Sequence, residues 1–123
     1  MQVIVMVKAN KASEAGQMPS PELIAKMGAF NQELINAGIM LNGAGLDPSS
    51  KGKRLRFNGP TPLITDGPFA ETKEQLAGFY LIEARDLNEA IQIAAKIPPA
   101  GVGCIEVRPI RPIREDAAAA AAS

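Results

Sequence analysis

Histidine and tryptophan are missing from this chain, and it has a single cysteine, Cys104. Without histidine the usual side chain for proton transfer near neutral pH is gone. Imidazole metal sites and Ser–His or Cys–His nucleophiles go with it. Aromatic residues make up only 4% of the chain, too few for a base-stacking platform on single-stranded nucleic acid. Neither sign of charge is in excess. Thirteen basic residues balance 13 acidic ones, so no global positive field gathers nucleic acid or an anionic membrane. One cysteine excludes an intrachain disulfide and fits a reducing, cytoplasmic compartment. With no histidine to activate it, Cys104 is expected as a small buried side chain on a strand. The apolar run Val3-Ile4-Val5-Met6-Val7 is too short to span a membrane and lacks the basic lead-in of a signal peptide.

At 123 residues the chain is expected to form one domain with a real core. Gln2 to Val7 reads as a strand covered on both faces, and Lys8 to Pro19 as a polar loop. Ser20 is an N-cap, with Pro21 at the first helical position and Glu22 in the first turn. Leu23, Met27, Phe30 and Leu34 recur at helical spacing, widened by Ile24 and Ile35. Gly38 stands where a C-terminal glycine belongs, so the helix is predicted over Pro21–Ala37. A strand from Ile39 to Leu46, weakened by Gly43 and Gly45, is followed by a turn. Leu55 and Phe57 then lead into a hairpin around Asn58-Gly59-Pro60-Thr61. Gly78 to Ala84 is the next strand. Asp86 caps a second helix with Glu89 in a capping-box pattern. Its apolar face is Leu87, Ala90, Ile91, Ala94 and Ala95, and Pro98-Pro99 stops it. Cys104 to Arg108 is the last strand, with Ile105 and Val107 on one face and Glu106 and Arg108 on the other. The domain spans residues 1–113. The Ala-rich tail 114–123 is low complexity, too short for a stable isolated helix, and expected to be disordered.

The order of strand, helix, strand, hairpin, strand, helix, strand repeats one plan twice. Right-handed crossovers put both helices on one face of a single antiparallel sheet. This predicts a ferredoxin-like α+β fold with an added β-hairpin. On the third strand Tyr80 and Ile82 point opposite to Phe79 and Leu81, and both sets are apolar. A second copy closing face to face would hide the uncovered set, so a homodimer is expected.

The densest local signal is Thr65-Asp66-Gly67-Pro68-Phe69-Ala70-Glu71-Thr72-Lys73-Glu74-Gln75-Leu76, followed by Gly78-Phe79-Tyr80. It is a turn loaded with charge beside a core strand, and Gly67 is expected in a conformation other residues adopt poorly. Gly43-Ala44-Gly45-Leu46 and Ile105-Glu106-Val107-Arg108-Pro109 agree with it in order and spacing. Together these pieces resemble the DGPF branch of the YCII-related family. The resemblance implies a dimeric α/β barrel, without an assigned reaction. Relatives in this family are associated with a His–Asp pair. Only the aspartate half exists here, so that catalysis does not carry over. The resemblance also implies a regulatory role, through gene neighbourhood with sigma factors.

Six residues are candidates for chemistry. Asp66 is a carboxylate at the mouth of a cleft, acting as base or hydrogen-bond acceptor; its structural alternative is an Asx-type turn. Glu71 is a second acid–base candidate, which would need a raised pKa. Lys73 would hold an anionic substrate, or else belong to a solvated charge cluster. Glu106 and Arg108 share a strand face, where Arg108 is a receptor for a small anionic ligand or a structural partner of Glu106. Tyr80 would donate a hydrogen bond into the same cavity, or serve the core. Gly43-Ala44-Gly45 is no dinucleotide fingerprint. No cofactor, metal, nucleic acid or membrane partner is expected. Three function classes follow: a small-molecule binding or regulatory module with a cleft near the turn, a cofactor-free lyase, isomerase or oxygenase-like enzyme using Asp66 or Glu71, and a purely structural partner.

Overall fold

The computed structural model describes residues 1–71, 74–99, 101 and 103–111. Strand β1 (Gln2–Lys8) is followed by a helical turn α1 (Lys11–Glu14), helix α2 (Pro21–Asn36) and strand β2 (Met40–Gly45). A 3-10 turn at Ser49–Lys51 leads into the hairpin β3 (Lys53–Phe57) and β4 (Pro62–Asp66). The chain returns through β5 (Leu76–Glu83), α3 (Leu87–Ala94) and β6 (Ile105–Pro109). Four strands form one sheet in the order β2-β5-β1-β6, all neighbours antiparallel, while β3 and β4 pair separately. This is the ferredoxin-like α+β fold with an added hairpin.

Local chemistry accounts for the helices. Ser20 Oγ accepts from Leu23 N at 3.2 Å and Pro21 follows it at the first helical position, pairing a side-chain cap with a preset φ. Gly38, at φ +72°, lets the chain leave α2 in a left-handed turn. The segment after β1, expected as loop, contains α1 because Asn10 and Ser13 cap each other reciprocally. In α3, Asp86 Oδ1 accepts from Glu89 N at 2.8 Å, but the Glu89 carboxylate turns to the Arg85 backbone N–H at 3.2 Å and to its guanidinium. The expected box therefore closes one residue earlier.

The core lies between the sheet and the two longer helices. Val3, Val5, Tyr80 and Ile82 point to the helices and meet Leu34, Ala90, Ala94 and Ile97. Ile82, Val3 and Val5 are fully buried, each contributing roughly 1.5–3 kcal/mol of apolar burial. The expected face of α3 is rotated. Ala90 and Ala94 are buried with Ile93 beside them, whereas Leu87 and Ile91 are exposed. Two alanines let the helix approach the sheet closely, and that approach selects their side. Ile24 and Ile35 of α2 are likewise exposed, so the buried stripe is narrower than its sequence pattern. Cys104 is exposed, not buried; β6 begins one residue later, which leaves the thiol outside the packed strand. On the sheet's other face Ile4, Met6, Phe79 and Leu81 are half-buried. Residues 112–123, which include the Ala-rich tail, lie outside the described residues.

Candidate functional site

Alternation along paired strands aligns Val7, Gly78 and Gly45 in one row on the helix-facing side of the sheet. The next row is Val5, Tyr80 and Gly43. Three glycines among six positions leave the sheet bare beneath the middle of α2. The result is a cavity of about 740 Å³, floored by these glycines and lined from α2 by Met27 and Asn31. The segments Ser13–Pro19 and Asp47–Lys51 contribute to its walls. Close packing requires two of the glycines. A Cβ on Gly78 would lie 2.8 Å from the Ala44 carbonyl oxygen, and one on Gly43 would lie 3.0 Å from the Phe79 carbonyl oxygen. Gly45 is different: its nearest neighbour would be the Ala77 oxygen at 4.0 Å. The space above Gly45 is open although a side chain would fit there.

Among the polar side chains that line this mostly apolar chamber, Tyr80 is buried and Asn31 half-buried. The Tyr80 hydroxyl donates to Asn31 Oδ1 at 2.7 Å. Burial pushes the Tyr80 phenol up from its usual pKa, with the hydrogen bond to Asn31 opposing that shift. Phe30 meets the Tyr80 ring edge-on at 6.4 Å between centroids, fixing it further. The hydrogen bonds among the described residues leave Asn31 Nδ2 without a partner, and no buried side-chain polar atom among them is unsatisfied. Because Asn31 lines the cavity, its amide donors are placed to serve a ligand there. Glu14, Asp47 and Lys51 supply the charge at the rim.

One wall of the cavity is fastened through Ser49. Its backbone N–H donates to Glu14 Oε1 at 3.0 Å, its hydroxyl donates to Glu14 Oε2, and its Oγ accepts from Phe69 N at 3.1 Å. The hydroxyl bond and then the backbone bond hold the Glu14 carboxyl below the usual carboxylate range, against a smaller effect of burial. Gly67 N donates to the Gly52 carbonyl at 3.0 Å. Gly67 has no positive φ, so no left-handed turn calls for glycine there. Its requirement is contact: a Cβ there would lie 1.8 Å from the Ser49 carbonyl oxygen. The Arg54 guanidinium stands 4.0 Å over the Phe69 ring, a cation–π contact. Asp66 pairs with Lys53, its register partner across the hairpin, and both are exposed.

The structure distributes five of the six candidate residues among separate places. Tyr80 lines the cavity. Asp66 sits on the hairpin and Glu71 is exposed just beyond it. Lys73 lies outside the described residues. Glu106 and Arg108 are on the sheet face away from the helices, opposite Met6 and Ile4. There Glu106 meets Lys8 Nζ at 3.4 Å and Arg108 Nε at 3.9 Å. A second hollow of about 430 Å³ opens beside the Ser49 turn and includes Phe69. Neither cavity is lined by Asp66, Glu71, Glu106 or Arg108. Sequence reasoning missed Glu14, Asn31, Ser49 and the role of the glycines. Their signals were faint: a polar residue four after Met27 inside an apolar stripe, an Asn–Ser cap, and glycines at alternating strand positions.

The model of the YCII-related domain matches residues 1–114. The chain belongs to the YCII-related family. It is also 40% identical over 86 residues to an uncharacterized protein of Rhizobium meliloti (strain 1021), an alignment covering 68% of this chain and 69% of that relative. In this YCII-related chain the family match spans both the glycine-floored cavity and the Asp66–Phe69 corner.

Proposed function

We propose that this YCII-related protein is a homodimeric small-molecule-binding module of the DGPF branch, with one ligand chamber in each subunit. The observation that carries the reading is the cavity of about 740 Å³ between α2 and the glycine rows. Its size and its apolar lining with few placed polar groups are those of a ligand pocket. Its wall at Asp47–Lys51 is tied through Ser49 to the Asp66–Phe69 turn, so the chamber lies near that turn. Binding is favoured over acid–base catalysis because Asp66 is ion-paired on the hairpin and Glu71 is exposed outside the cavity. Glu14 does reach the rim, but its low pKa suits a fixed anion rather than a proton carrier near neutrality. The half-buried row of Ile4, Met6, Phe79 and Leu81 supports pairing of two sheets face to face, and a stable dimer of this kind buries roughly 1,600 Å² in total.

A thermal-shift screen of small neutral compounds, carboxylates and phosphates tests the chamber, with Gly45→Leu as a plugged control. Ligand at about 100 times its Kd should add roughly 2.7 kcal/mol to stability. A compound that stabilises the wild type and leaves the plugged variant unmoved is expected. Equal shifts in both proteins, or no response to any compound, would overturn the reading. Light scattering at micromolar concentration should return twice the chain mass, and a single-chain mass would remove the dimer.

A further inference from the structure

The polarity of the chamber narrows what it can take. Its interior offers apolar side chains, among them Val7, Met27, Met40 and Ile97. The Tyr80 hydroxyl already spends its proton on Asn31. Of the other neutral polar side chains in the lining, Ser13 is bonded to Asn10 and Gln17 and Ser50 are exposed, which leaves the half-buried Asn31 amide, with its oxygen occupied and N–H donors to offer. At the rim two carboxylates, Glu14 and Asp47, face one ammonium, Lys51. An anion entering there meets a net negative edge and an interior with no cation, where an unpaired charge is strongly disfavoured. A hydrocarbon would fill the space but leave the Asn31 donors without an acceptor.

From this we infer that the chamber selects an uncharged, largely apolar molecule whose carbonyl-type oxygen accepts from Asn31 Nδ2 and whose bulk rests on Gly45 and Gly78. The inference builds on the chamber reading and specifies its ligand class. Gly78 and Gly43 are bare for packing reasons, so Gly45 is the position where bulk can be admitted or refused. A side chain there would point into the cavity at the level of Val7. Gly45 thus sets the size of ligand accepted, and Asn31 sets its polarity.

Three probes of one shape separate the possibilities: acetylnaphthalene, ethylnaphthalene and naphthoate. They carry a neutral carbonyl, no acceptor and an anionic carboxylate respectively. Titration of the full chain, followed by nuclear magnetic resonance, should rank acetylnaphthalene tightest. Ethylnaphthalene should bind about fivefold more weakly, the net worth of one hydrogen bond, and naphthoate more weakly still. Asn31→Asp keeps the shape and the acceptor for Tyr80 while removing the N–H donors. It should erase the advantage of the ketone over the hydrocarbon. Gly45→Leu should weaken all three, and Gly45→Ala serves if the leucine variant does not fold. Tightest binding by naphthoate, or a ketone preference unchanged in Asn31→Asp, would overturn the inference while leaving the chamber standing. Failure of all three probes, with other compounds still blocked by Gly45→Leu in the thermal screen, would also overturn the inference alone. Failure of both experiments would remove the chamber itself.

Discussion

The Asp66–Phe69 corner and the glycine-floored chamber are neighbours with opposite characters. The corner is rich in sequence signal and tightly wired: Gly67 abuts the Ser49 carbonyl, Phe69 N–H bonds to Ser49 Oγ, and Arg54 covers the Phe69 ring. The chamber is poor in sequence signal, and across its floor the link from α2 to β5 is the hydrogen bond between Tyr80 and Asn31. A motif dense in special residues here meets the demands of close approach. Gly45, a plain strand glycine, leaves room. Conspicuous chemistry in a sequence can mark a joint, and the space a ligand needs can be marked by missing side chains.

Substitutions at the two kinds of glycine break this comparison most sharply. Gly67→Ala places a carbon 1.8 Å from backbone oxygen, and the hairpin must move to relieve it. The expected loss is about 3 kcal/mol, a fall in Tm on the order of 10 °C. A melt within a degree of wild type would show the corner to be loose. Next in size is Tyr80→Phe, which deletes the bond to Asn31 and should lower stability by about 1 kcal/mol, read from urea unfolding. Gly45→Ala should do the reverse of Gly67→Ala. With nothing closer than 4.0 Å to its Cβ, it should leave stability unchanged or raise it by about 0.5 kcal/mol through the unfolded chain. A marked loss there would mean that the opening at Gly45 serves packing after all.

The weakest effects sharpen the contrast between the rim and the outer hairpin. The Glu14 carboxyl is lowered in the folded protein by its bonds from Ser49. Its contribution is fully present above the ordinary glutamate value, ~4.3, and is lost as pH falls through the lower folded value. Ser49→Ala should flatten this acid limb in pH-dependent melts; an unaltered limb would deny the coupling. Asp66→Asn breaks only an exposed ion pair with Lys53, so stability should change by less than about 0.5 kcal/mol. A larger drop would show that Asp66 holds more than its partner on the hairpin.

The elements were legible because their signals are local. Ser20 and Asp86 accept hydrogen bonds from residues three positions on, and Gly38 ends α2 within one residue. Such information is carried in a handful of consecutive residues. The errors share one cause. Cys104, Ile91 and the role of Gly67 are read from their own neighbourhoods, but burial and contact depend on chain segments far away. Ser49 stands 18 residues before Gly67, read from their positions, and nothing in either neighbourhood announces the other. Asn31 and Tyr80 are 49 residues apart and meet only because α2 crosses β5.

The sequence by itself determined the order of the strands and the two longer helices, the ferredoxin-like α+β plan and the family, since periodicity, caps and a dense motif need no partner in space. It also removed histidine chemistry outright, because a residue absent from the chain is absent from every fold. Only the tertiary structure decided that strand register stacks Gly43, Gly45 and Gly78 beneath α2, and that the Asp66–Phe69 corner is bolted to Ser49. The physical reason is that a cavity belongs to no residue. It is the volume left when packed neighbours from separate segments fail to meet, and that failure exists only after the chain has folded.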